Sequence, residues 1–125
     1  MNQERIKELK TDFQNALSRL EAALKEDPSK SSVFLDGTIQ RFEFTFELAW
    51  KFLKATLQFQ GVEANTPRSA VKAAFKVKLI QDGDGWIDML EDRNKTSHLY
   101  DESQASEIYE KIKKRHFRLL KTLLK

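Results

Sequence analysis

Apolar residues recur at three- and four-residue spacing along most of the chain, a period that predicts helices. From residue 2 to 26, Ile6, Leu9, Phe13, Ala16, Leu17, Leu20 and Leu24 form one stripe with charges elsewhere, so this segment should pack a single face. Pro28 and the serines of "EDPSKSS" break it. The next stretch gives a mixed signal, because "RFEFTFEL" alternates apolar and polar residues like a half-buried strand. Length decides for helix: the pattern runs on to Gln60, some 28 residues, before Gly61 offers a C-terminal cap.

At 100° per residue that long helix carries two apolar stripes. Phe42, Phe46, Ala49, Trp50, Leu53 and Leu57 lie on one side, and Phe44, Leu48, Phe52, Ala55 and Phe59 on another. One stripe serves the domain's own core; the second is covered by further helices of the same chain or by another molecule, and the pattern leaves both open. Glu43, Glu47 and Lys51 stand between the stripes at four-residue spacing and read as a surface ladder of weak pairs. The further Glu and His partners of a di-metal centre are missing.

Thr66 as N-cap and Pro67 at the first helical position open a short third helix in "NTPRSAVKAAFKVKLI". "QDGDGW" should end it, with Gly83 as its C-terminal cap and Asp84 as N-cap of a fourth helix starting about Gly85. The same stretch imitates a calcium loop but places Trp86, Ile87 and Arg93 where a ligand, a glycine and a glutamate are required. After "DES" a fifth helix follows on Ala105, Ile108, Ile112, Leu119, Leu120 and Leu123. The expected fold is all-α: one domain over residues 1–125, an antiparallel up-and-down four-helix bundle with one additional short helix.

Composition narrows the chemistry. A chain of 125 residues is one domain's worth and buries enough surface to need no staple. The absence of cysteine excludes thiol catalysis, cysteine-ligated zinc and disulfides, and fits a reducing, cytoplasmic setting. No apolar run approaches the roughly 18 residues of a membrane span. The net charge of +3 is unevenly placed, with seven Lys or Arg against one Glu in residues 110–125. "KIKKRHFRLLK" could therefore touch nucleic acid or a partner, or be a solvated helix face. Glycine-rich phosphate loops, paired metal-spaced histidines and a Ser-His-Asp context are absent.

Two histidines remain. His116 continues the stripe of Ile112, Leu119 and Leu123, which reads as a core-edge or surface residue without a catalytic task. His98 stands near Arg93, which prolongs the apolar line of Trp86 and Leu90; a guanidinium there needs a carboxylate partner, an open cleft or a phosphate. Asn94, one turn before His98, can hydrogen-bond the ring. Residues five apart on a regular helix point about 140° away from each other. Arg93 and His98 can thus meet one ligand only if the helix ends or distorts near Thr96, if the arginine reaches round, or if two chains face each other.

"RNKTSHLY" resembles the Arg-x4-His-x-Tyr motif of the HEPN superfamily, with Asn94 as the polar residue after the arginine. "RFEFTFELAWKFLK", "TPRSAVKAAF" and "GWIDMLEDRNKTSHLYDE" extend the likeness over most of residues 35–115, to the small HEPN proteins described as nucleotidyltransferase substrate-binding proteins. The resemblance implies a bundle that dimerises and is partnered by a separately encoded minimal nucleotidyltransferase. It further implies a metal-independent ribonuclease toxin, with Arg93 and His98 catalytic, Asn94 supporting, and no cofactor. The nucleotidyltransferase would be the antitoxin, silencing the toxin by AMP transfer to Tyr100. A second implication, from the name of the group, is a non-catalytic subunit that binds a nucleotide or other substrate.

Overall fold

The structure is a computed structural model that describes residues 3–98 and 101–124. Five helical stretches appear, and no strand among the described residues: α1 (Gln3–Leu24), α2 (Ser32–Phe59), α3 (Pro67–Lys76), α4 (Gly83–Lys95) and α5 (Glu102–Lys111), which runs on through a π-wound segment (Ile112–His116) into α6 (Phe117–Lys121). The helix α1, the helix α2, the helix α4 and the continuous C-terminal stretch make the four-helix bundle, and α3 is the short extra helix. No helix of the described residues is long and apolar enough to cross a membrane.

Local chemistry sets the ends. Ser31 accepts a hydrogen bond from the Val33 amide (3.1 Å) and starts α2. At the other end Gly61 adopts φ +84°, and the amides of Gly61 and Val62 reach the carbonyls of Gln58 (3.0 Å) and Leu57 (2.8 Å). That is the two-bond closure for which a left-handed glycine is suited. Thr66 and Ser69 form a reciprocal capping box at α3.

The loop before α4 differs from expectation. Helix α3 stops at Lys76, and Lys78, not Gly83, takes the left-handed position, with φ 69°. The Lys78 and Leu79 amides bond the carbonyls of Phe75 (3.1 Å) and Ala74 (2.8 Å), so the same closure is made without glycine. Asp82 rather than Asp84 caps α4, accepting from the Gly85 amide at 2.9 Å, and Gly83 is already helical. Gly85 is closely approached: a Cβ there would press on the capping carboxylate of Asp82 and lie 2.8 Å from a Leu119 methyl, so these side chains would have to shift.

The first stripe of α2 is core, with Phe42, Phe46, Ala49, Trp50, Leu53 and Leu57 all buried alongside Phe13, Leu20, Trp86, Met89 and Leu120. The second is divided: Ala55 is buried, Leu48 packs partly against the core, and Phe44 and Phe59 are exposed. Among the described residues, apolar contact within the chain therefore covers only part of that stripe.

Candidate active site at the end of the fourth helix

Helix α4 gives way to a 3-10 turn at Thr96–His98. The side chains that tighten it are local: the Thr96 hydroxyl donates to the Arg93 carbonyl (2.6 Å) and the Ser97 hydroxyl to the Asn94 carbonyl (3.2 Å), competing with regular helical bonding. The helix thus ends near Thr96, one of the three ways in which the spacing of Arg93 and His98 could be reconciled with a shared ligand.

The change does not bring those two residues together within one chain. Arg93 faces α2, where its guanidinium bonds the Glu47 carboxylate and lies 5.8 Å from the centre of the Phe46 ring. It also donates to the Asn94 side-chain oxygen at 3.1 Å, so Asn94 serves the arginine. Glu47 is shared with Lys51 at 3.6 Å. Glu47 is therefore more than one step of a surface ladder: it is the carboxylate that lets a cation sit at the end of an apolar stripe. His98 is exposed and lines a different face. There Asn94, Lys95 and His98 form one wall of an open groove of about 640 Å³, Glu107, Ile108 and Lys111 of α5 form the other, and Asp92 lies at its base. Tyr100 lies outside the described residues.

The residue that the sequence pattern misplaced is His116. It is wholly buried rather than at the core edge: its ring stacks on Phe42 at 5.5 Å, and Nε2 lies 2.6 Å from Oδ2 of Asp92, itself 1% exposed. Lys111 Nζ reaches the same carboxylate at 2.8 Å and Asp88 at 3.1 Å, and Arg115 bonds Asp88. Lys111 and Arg115 thus pair with the carboxylates of the same cluster that His116 joins. The other ring nitrogen of His116, Nδ1, is buried and has no hydrogen-bond partner among the described residues. Burial pushes the Asp92 carboxyl up, but hydrogen bonds from His116 and Lys111 and the electrostatic attraction of both groups outweigh it and hold the carboxyl below the usual aspartate value.

Asp88, Asp92 and His116 offer ligand atoms within 4.8 Å of one another, a spacing a cation could bridge. The donor set argues otherwise, because Lys111 and Arg115 already occupy these carboxylates. A signal for this cluster did exist in the sequence: Asp88 and Asp92 are four apart, as are Lys111 and Arg115, so two complementary ladders could face each other. The basic run of the C-terminal stretch is accordingly split, Lys111 and Arg115 pairing with carboxylates of α4 while Lys113, Lys114, Arg118 and Lys121 are exposed.

Residues 8–125 match the family model described as "Nucleotidyltransferase substrate binding protein like". The chain belongs to that family. It is similar to "Probable ribonuclease HepT" of Haemophilus influenzae, 33% identical over 81 residues, which is 61% of this chain and 56% of that protein. The match thus spans little more than half the length of that relative. A solved structure from Thermus thermophilus superposes with a TM-score of 0.82 at 35% identity, covering 90% of this chain and 95% of the other. A Haemophilus influenzae structure, described as the fold of a substrate binding domain of a nucleotidyltransferase, gives 0.79 at 26% identity, covering 93% and 96%. The HEPN-type resemblance of the sequence is therefore a family relationship over nearly the whole chain.

Proposed function

We propose that this chain is the HEPN subunit of a two-component system with a minimal nucleotidyltransferase, and that it is a metal-independent endoribonuclease toxin of the cytoplasm. The observation that carries the reading is the intact Arg93-x4-His98-x-Tyr100 sequence motif, whose Arg93 and His98 stand at the broken end of α4 with His98 lining an open groove, in a chain similar to a probable ribonuclease.

The side chains suit the chemistry. An imidazole can take the proton from a ribose 2′-hydroxyl as its oxygen attacks the adjacent phosphorus, or give one to the departing 5′-oxygen as the P–O5′ bond breaks. An arginine offers fixed positive charge where the pentacoordinate phosphorus gathers negative charge, and Asn94 steadies that guanidinium. Because Arg93 turns to α2 and His98 to the groove at α5, the site is completed by a second copy of the chain. A homodimer also gives the exposed Phe44 and Phe59 of α2 a surface to meet. AMP on Tyr100 would add bulk and negative charge two residues from His98 and silence the toxin. The other tyrosine, Tyr109, is buried in the core and a poor acceptor.

A second reading, a nucleotide- or substrate-binding subunit in which Arg93 and His98 bind phosphate without catalysis, is favoured by the family description as substrate-binding-protein-like. Expression in a bacterial host without the partner separates the two. The toxin arrests growth, and both Arg93→Ala and His98→Ala relieve the arrest; harmless expression of the wild type favours the binding subunit. Intact-mass analysis after co-expression with the nucleotidyltransferase should show AMP-sized increments that Tyr100→Phe abolishes, and adducts mapped elsewhere refute that acceptor.

A further inference from the structure

The π-wound segment at Ile112–His116 interrupts an otherwise continuous helix. Such i→i+5 winding is rare and recurs at functional sites. Here it has a specific geometric product. Lys111 and His116 are five residues apart, which in regular α-winding would separate their side chains by about 140°. In i→i+5 winding five residues span close to one turn, and both side chains arrive at the same oxygen, 2.8 and 2.6 Å from Asp92 Oδ2.

The resulting network is closed at one end and open at the other. His116 and Asp92 are buried, whereas the Lys111 side chain is 38% exposed and stands in the groove wall opposite His98. Among the described residues Asp92 and Asp88 take two of its three protons. Because His116 also serves Asp92 and Arg115 also serves Asp88, the two carboxylates do not depend on the ammonium alone. Lys95, on the His98 side, has no carboxylate partner among the described residues. Lys111 is thus the anchored cation of the groove that His98 lines, while Arg93 of the same chain is turned away from it.

We propose that Lys111 is a substrate-binding residue, donating to a phosphodiester oxygen of a single RNA strand beside His98, with Asp92 and His116 as positioning residues that hold its ammonium in place. This rests on the ribonuclease reading of the groove. A lysine already fixed by two carboxylates loses little freedom on meeting a phosphate, and each phosphate it neutralises releases counterions.

The test is binding of a 2′-O-methyl RNA oligonucleotide, which lacks the attacking hydroxyl, by fluorescence anisotropy over a salt series. Lys111→Gln should weaken binding several-fold at low salt and reduce the slope of log affinity against log salt by about 0.7, one phosphate's worth on a single strand. Lys111→Arg should restore most of it. His116→Phe should weaken binding in a protein that is still helical by circular dichroism, and His116→Gln, whose amide can donate to Asp92, should recover much of that loss. An unchanged slope and affinity in Lys111→Gln overturn the proposal. Unmodified RNA separates this from the parent reading. Cleavage whose KM is indifferent to Lys111→Gln refutes the lysine's role and keeps the ribonuclease. Lys111-dependent binding without any cleavage keeps the lysine's role and refutes the ribonuclease.

Discussion

Asp92 and Arg93 are neighbours in the chain and on α4, yet they sit in opposite circumstances. Asp92 is 1% exposed and fastened to the C-terminal helix by His116 and Lys111. The Arg93 side chain is 26% exposed and fastened to α2 by a carboxylate that is itself partly in solvent. A buried charge cannot be left without a partner, because an uncompensated ion in the core is costly. A half-exposed ion pair can open and exchange its partner for a phosphate at small cost. One member of the pair therefore holds the end of α4 in place, and the other is free to act.

The largest expected effect falls on the buried side. Asp92→Ala should destabilise the fold by about 3–5 kcal/mol in urea unfolding, the range for breaking a buried ion pair by removing one partner. If the cost is below about 1 kcal/mol, the range of exposed pairs, the contrast between the two residues is lost. Replacing both partners, as Asp92→Leu with His116→Phe, should recover a large part of the loss, since apolar side chains of similar volume often substitute for a buried pair.

Acid should act on the same group. The Asp92 carboxyl titrates lower in the folded protein than in the unfolded chain, so its contribution is complete above roughly pH 4 and is lost as pH falls through the folded value. Thermal melts of Asp92→Asn against wild type should differ most above that window and converge below it; a difference that grows toward acid would contradict the assignment. The smallest effect is expected on the exposed side. A double-mutant cycle between Arg93→Ala and Glu47→Ala should give a coupling of about 0.2–1 kcal/mol, and a value near that of Asp92 would mean that Arg93 is a structural residue.

The helices, their order and the main core stripe were legible because periodicity and capping are local properties of the sequence. Gly61, Ser31 and the Thr66–Pro67 start carried their own chemistry. Lys78 did not, because a left-handed lysine has no sequence mark that distinguishes it from a helical one. The motif was legible as a pattern of residues, and a helix end near Thr96 was one of three ways its spacing left open. The partner of Arg93 was not, since Glu47 lies 46 positions away and looks like any other surface glutamate. His116 was missed for a related reason: on a regular helix its angle to Lys111 hides their common target, and nothing in "KIKKRH" announces a π turn.

Whether Arg93 and His98 cut RNA is decided most directly by the 3′ ends formed when the purified protein is incubated with RNA in the presence of a chelator. The wild type should leave 2′,3′-cyclic phosphate ends, while Arg93→Ala and His98→Ala, both near wild-type stability, should leave the RNA intact. Cleavage that persists in either variant, or intact RNA with the wild type, would contradict the assignment of these two residues as catalytic.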